Sequence, residues 1–271
     1  MSELATQIEA HSMVIAIGGI AVRVNTTDAD FLGLLHDRYG AFVSNQGDAE
    51  FEFDIELHPP QPTDPEAPVR VTFSAGRWFI RRGDFHAEWS PAERRGIIHQ
   101  SAKPYSVDTV LRIVHTLLLA KQNGFLLHAA SAIRNGRAFL FAGVSGAGKT
   151  TISRLAPPDA TLLTDEISYV RKLEDGHVAF GTPFTGELAT PGENTSAPIA
   201  ALYLLAKGPE NRIDPVPAAE AGREFLNNVL FFAEDPEMVY PVFEAACDFV
   251  NRVPVYRLTF VPDGRVWELI R

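Results

Sequence analysis

One octapeptide constrains this chain more than any other stretch: Gly143-Val144-Ser145-Gly146-Ala147-Gly148-Lys149-Thr150. It fits the pattern G-x-x-x-x-G-K-[ST], in which each fixed position has a physical task. Glycines lack a Cβ, so the backbone can curl into a tight concave loop and aim several N–H groups at one point. Those groups, together with the first turn of a following helix that includes Thr151, attract an anion such as a nucleotide's phosphate chain. Lys149 adds a positive charge for the outer phosphates, and the hydroxyl of Thr150 suits a Mg²⁺ ion. The flanks agree with this reading. Residues 138–142, Ala-Phe-Leu-Phe-Ala, form a short apolar run expected to be a buried strand. Residues 151–156 are expected to be helical until Pro157-Pro158 stops them.

Downstream, the apolar run 160–164 ends in Asp165-Glu166. Two carboxylates at the end of a strand beside a phosphate loop are well placed to act near a metal–nucleotide complex. A rigid turn, Gly181-Thr182-Pro183-Phe184-Thr185-Gly186-Glu187, then presents a further carboxylate. A hairpin is expected over 168–173 and 177–180 across Asp175-Gly176, and a buried strand over 200–206. Pro217 opens a helix expected to carry Phe225, Leu226, Val229 and Leu230, and Asp235-Pro236 caps another reaching Val253. A final hairpin is expected over 256–261 and 265–270. Few strand–helix–strand units repeat, so a doubly wound parallel sheet is not expected.

The first half reads differently. A hairpin over 12–17 and 20–24 turns at Gly18-Gly19, and Thr27 is expected to cap a helix from Asp28 to Tyr39. Phe51, Phe53, Ile55 and Leu57 alternate with Glu52, Asp54 and Glu56, the signature of a strand with one wet, acidic face. A proline-rich loop over 59–68 leads to strands over 69–73, 78–81 and 85–89. His58, His86 and His99 read as isolated surface histidines. A helix capped by Ser106 and running from 107 to 122 marks the border. The expected architecture is therefore α+β. A smaller, mainly antiparallel domain over 1–105, suited to scaffolding or substrate recognition, precedes a mixed-sheet phosphate-loop domain over 106–271.

Charge and cysteine usage narrow the function. The formal net charge is −10 over 271 residues, which argues against duplex nucleic acid or an anionic membrane as principal partner. Cys247 is the only cysteine, so no internal disulfide can form and a reducing, cytoplasmic compartment is expected. Glu3 and Glu9 interrupt the start of the chain, where a secretory leader would need an apolar segment.

Leu127-His128-Ala129-Ala130, the phosphate loop, Thr164-Asp165-Glu166 and the 181–187 turn together resemble the HPr kinase/phosphorylase catalytic domain and its relatives, with the phosphoenolpyruvate carboxykinases more distant in the same superfamily. The resemblance spans roughly residues 126–271. It implies that Lys149 binds the β- and γ-phosphates and that Thr150 holds Mg²⁺. It also implies that Asp165 is the general base and that His128 sits beside Asp165 to orient it. Glu166, where the family commonly has Asp, would serve the metal or the acceptor, and Glu187 would be a further metal-side carboxylate. An assembly of like subunits is implied as well. The region after Glu187 lacks the arginine and glycine-rich signature of the HPr kinases.

The leading functional expectation is an ATP- and Mg²⁺-dependent kinase acting on a hydroxyl, serine or threonine foremost, of a protein, peptide or small molecule. Phosphoryl transfer needs positioning and charge neutralisation more than covalent help, which matches these residue types. Two alternatives are a non-catalytic nucleotide sensor and, ranked lower, a carboxykinase-like enzyme acting on a keto acid.

Overall fold

The structure is a computed structural model that describes residues 10–45, 48–60, 62, 64, 67–233 and 235–271. Glu3 and Glu9 lie outside the described residues, as does part of the proline-rich loop. The chain divides into two compact units, Met1–Leu111 and Arg112–Arg271. Both contain a mixed sheet, and the whole is of the α+β class.

In the first unit, β1 (His11–Ile17) and β2 (Ile20–Thr26) form the expected hairpin, with Gly18 and Gly19 both at positive φ. Helix α1 (Ala29–Tyr39) follows. Its cap is Asp28 rather than Thr27. Asp28 is extended and its carboxylate accepts from Phe31 N at 2.8 Å, while Thr26 Oγ1 accepts from Asp28 N. The sheet continues with β3 (Phe51–Leu57), β4 (Arg70–Ser74), β5 (Arg77–Arg82), β6 (Phe85–Ser90) and β7 (Arg95–Gln100), in the order β1-β2-β3-β7-β6-β5-β4. Strand β7 has no counterpart among the sequence expectations. Its pattern, Arg-Gly-Ile-Ile-His-Gln, hides period two behind a glycine that Phe53 covers; a Cβ on Gly96 would lie 2.4 Å from Phe53 Cε1. Strand β3 runs parallel to both β2 and β7, so the sheet is only mainly antiparallel. Its inner face buries Phe53 and Ile55, as the alternation requires.

Helix α2 (Pro104–Ala120) starts two residues before the expected cap, because proline's fixed φ suits a first helical turn. The boundary between the units falls within it.

The second unit is built on β8 (Gly124–Arg134). Strand β9 (Arg137–Ala142) folds back on it and runs parallel to β13 (Ser196–Lys207) on its other side. Helix α3 (Lys149–Arg154) follows β9. Strands β10 (Thr161–Thr164) and β11 (Ile167–Leu173) pair with successive parts of β8, and β12 (Gly176–Phe180) joins β11 to β13. Then come β14 (Arg212–Pro215), α4 (Ala218–Leu226), β15 (Val229–Leu230), α5 (Pro236–Arg252) and β16 (Val255–Phe260).

Two expectations in this unit are corrected. Val229 and Leu230 are not helical; α4 ends at Leu226 and the backbone takes a place beside Leu126 and Leu127 of β8. The closing hairpin is absent too, because residues Gly264–Glu268 form a 3₁₀ turn capped by Asp263, which accepts from Arg265 N. Val266 and Trp267 are neighbours and both enter the same core cluster, whereas adjacent residues of a strand point to opposite faces. The turn carries Trp267 into a core with Phe141, Tyr203, Ile152 and Phe260, and Trp267 Nε1 donates to Ile152 O at 3.1 Å. Each large side chain so buried contributes on the order of 1.5–3 kcal/mol. That core is the floor under α3 and the glycine loop.

Candidate functional site

The floor fixes the loop. Strand β9, buried from Ala138 to Ala142, delivers the chain to Gly143. A Cβ on Gly143 would lie 2.7 Å from the Cβ of Ala147, so the two limbs of the loop touch. Gly146 has φ +75° and Gly148 φ +116°, conformations that other residues reach only with strain. Gly148 also lies on the Phe260 ring, where a Cβ would meet Cζ at 2.7 Å. Only glycine serves there on both counts.

The loop opens onto a cavity of about 650 Å³. Ser145, Gly146, Gly148, Lys149, Thr150 and Thr151 line it from the loop and α3, with His128, Asp165, Glu166 and Glu187 from other elements. These include all the residues expected to act in catalysis or to hold a metal. Of the expected phosphate-cup residues, Gly143, Val144 and Ala147 do not line it. Val144 points outward, 77% exposed, and Ala147 belongs to the core. Thr185 and Gly186 also line the cavity; the sequence brought them in with the 181–187 turn but assigned them no role.

Lys149 Nζ donates to Gly143 O at 2.9 Å, folding the ammonium back across the loop. Burial lowers the pKa of Lys149, and the fields of Glu166 and Glu187 oppose that shift. His128 stands on β8 in register with Ile167, the residue after Glu166. Burial, then the charge of Lys149, holds its pKa below the ordinary histidine value, which favours the neutral ring.

Asp165 and Glu166 connect β10 to β11, and Thr164 Oγ1 accepts from the backbone N–H groups of Glu166 and Ile167 to shape that connection. Asp165 is 3% exposed. Its Oδ1 accepts from Gly186 N and its Oδ2 from Leu188 N, both at 2.9 Å. The carboxylate thus clamps the 186–188 segment over the cavity. Gly186 is needed at the clamp, since a Cβ there would lie 2.8 Å from Asp165 Oδ2 and 3.0 Å from Glu166 Cβ. Sequence reasoning missed this bond pair; the signal that could have found it was the glycine beside Glu187. No hydrogen bond among the described residues joins His128 to Asp165.

The same turn is tied down elsewhere. Thr182 donates through its hydroxyl to Ile167 O and through its N–H to Leu163 O. The buried ring of Phe184 lies under the guanidinium of Arg112, 5.0 Å from its centroid. Among the described residues, no three side chains of His, Cys, Asp or Glu gather closely enough to hold a metal ion unaided. No described helix is long and apolar enough to cross a membrane.

Residues 99–271 match the family described as SynChlorMet cassette protein ScmC, more than half of the chain, and the chain belongs to that family. No curated protein matches it. The match corrects the HPr-kinase resemblance, since the family found over this region is ScmC and not an HPr kinase family. A glycine-rich loop and paired acids do not by themselves fix a family, because such local patterns recur on unrelated backgrounds.

Proposed function

We propose that this ScmC-family chain is an ATP-dependent phosphotransferase that moves the γ-phosphoryl group to a hydroxyl of a protein, peptide or small molecule. The observation that carries the reading is the single cavity that collects the glycine loop, Lys149, Thr150, His128 and three carboxylates. In this reading the loop N–H groups and Lys149 take the phosphates, and Lys149 swings from Gly143 O onto the transferring group. The acceptor oxygen bonds to the γ-phosphorus as the bond to the bridging oxygen breaks and ADP leaves. The acceptor's proton passes to a carboxylate, with Asp165 in that role. Neutral His128 borders the same space and shapes the field around that proton.

The donor set fits Mg²⁺ in a limited sense. Thr150, Glu166 and Glu187 offer one hydroxyl and two carboxylates, and Mg²⁺ is commonly held by one or two carboxylates with phosphates and waters completing its shell. When bound, the ion would neutralise charge building on the phosphates.

A second reading, a nucleotide-binding module that does not transfer phosphate, draws support from Asp165. Each of its oxygens already accepts a loop N–H, which suits a clamp as well as a base. One experiment separates the two. Purified chain is titrated with ATP and Mg²⁺, then incubated with labelled ATP, Mg²⁺ and a broad acceptor set. Loss of the Lys149 ammonium in Lys149→Ala should weaken ATP binding by about 10–100-fold, the worth of one charged hydrogen bond, with the fold intact. Unchanged affinity refutes the phosphate-site assignment. Tight ATP binding with no transfer to any acceptor favours the sensor.

A further inference from the structure

The first unit holds a cavity of its own, about 490 Å³, lined by His58, Arg81, Arg82, Asp84, His86 and Glu88 with neighbouring turn residues. The histidines that read as isolated in the sequence are not isolated here. Strand register sets Arg70, Arg81, His86, His99 and Glu56 in one row across β4, β5, β6, β7 and β3. The His86 and His99 rings stack, 4.3 Å between centroids and 17° between planes.

The acids of this region are mostly spoken for. Glu56 Oε2 lies 3.0 Å from His99 Nδ1. Asp84 accepts from Nε and Nη2 of Arg82, at 2.5 and 2.7 Å. Glu88 is the lining carboxylate that remains. Arg81 is exposed, rests over the Phe79 ring at 5.4 Å, and has no acidic partner among the described residues. Around His86 stand Arg81 on β5, His99 on β7, His58 just past β3 and Glu88 on its own strand; Arg70 lies beyond Arg81, and Lys103 acts on Asp84. Burial lowers the pKa of His86, the three cationic or titratable neighbours push the same way, and Glu88 opposes them. With the histidines neutral, the two arginines of the lining balance its two carboxylates, and the charge of the cavity rises as His86 takes up a proton.

We propose that this cavity binds a phosphate-type oxyanion carried on a small organic molecule. The Arg81 fork and the imidazole N–H of His86 are donors suited to such a group. The volume falls in the range of small-molecule sites and exceeds what a bare anion fills. Binding an anion favours protonated His86, so affinity rises as pH falls through the titration of that ring.

The test uses the full chain carrying Lys149→Ala, which silences the glycine loop. His86 ring C–H signals are followed by NMR at constant ionic strength. Inorganic sulfate, a dianion throughout the range, should give a saturable shift that is several-fold tighter at pH 6 than at pH 8. Arg81→Ala should weaken it about tenfold, and Glu88→Gln should tighten it. At pH 7, O-phosphoserine should bind more tightly than inorganic phosphate. Shifts that sodium chloride reproduces, or an Arg81→Ala chain that binds as before, overturn the site. Equal or weaker binding of the monoester overturns the organic ligand.

Discussion

Removing the Asp165 carboxylate should free the 186–188 segment while leaving the rest of the fold standing. The carboxylate makes two hydrogen bonds to backbone N–H groups, each 2.9 Å long. A bond to a charged group contributes about 1.5–3 kcal/mol, and the segment is half-exposed, so water replaces part of what is lost. The net loss in Asp165→Ala is therefore about 2–3 kcal/mol of local opening energy. Hydrogen exchange reads this directly, because local opening governs exchange of protected amides. The Gly186 and Leu188 amides should exchange about 30–150-fold faster, with amides of β8 and β9 little changed. Asp165→Asn keeps one acceptor oxygen and presents an N–H₂ where the other stood, so its effect should be intermediate. If the Gly186 and Leu188 amides exchange in Asp165→Ala as they do in the parent chain, the clamp carries no weight. If every amide in the unit accelerates alike, Asp165 supports the core and not the loop. Measured beside phosphoryl transfer, the same pair separates roles, and full transfer by Asp165→Asn removes it as base.

Two further outcomes follow from other positions. Gly148→Ala must hold φ near +116° and force Phe260 aside, at about 2–5 kcal/mol, whereas Gly146→Ala, with φ +75° and no atom within 4 Å of its new Cβ, should cost only about 1–2 kcal/mol. Equal urea midpoints for the two variants would contradict the role given to Phe260. His115, fully buried on α2 with Nδ1 3.0 Å from the Tyr169 hydroxyl, has its pKa lowered to about 3 by burial and then by Arg171. Folding therefore disfavours its charged form. Its contribution is complete above the unfolded value of 6.5 and is lost as pH falls towards 3, by roughly 2 kcal/mol between pH 6.5 and 5. Urea unfolding at pH 7 and pH 5 should show that loss, reduced in His115→Gln; the same pH dependence in both chains would refute it.

What the sequence revealed of the fold depended on how local each cause was. The Gly18-Gly19 and Asp175-Gly176 hairpins, the period-two strand at Phe51 and the Asp235-Pro236 helix start were readable because the deciding residues sit within one turn of their effect. The parallel placement of β3 was not readable, since nothing in its own residues chooses between neighbours. Val229 and Leu230 look like the continuation of a helix until β8 offers them a strand partner. Residues 265–270 are largely apolar and follow an Asp-Gly turn, which reads as the second strand of a hairpin. The packing of Trp267 beneath α3, more than a hundred residues away in the chain, decides otherwise.

The site divides along the same line. Loop, lysine and threonine could be named because the pattern states its own chemistry: positive φ at Gly146 and Gly148, a charge after them, a helix start. The paired acids could be placed at a strand end, but their separate tasks could not. Those depend on which N–H groups arrive from the 181–187 turn, and backbone partners leave no mark in a side-chain pattern. The two acids diverge on that account. Asp165 turns inward and spends its oxygens on Gly186 and Leu188, whereas Glu166, next in the chain and half-exposed, acts on the Lys149 ammonium across the cavity. Adjacent residues of like charge are thereby driven to different work, one holding the rim and the other acting on the lysine of the glycine loop. Clamp and base need not compete: a carboxylate oxygen has two lone pairs, so each can accept a loop N–H and still receive a proton. What the clamp adds to such a base is a fixed direction, and a fixed direction matters most when an acceptor hydroxyl must meet a phosphorus atom in line.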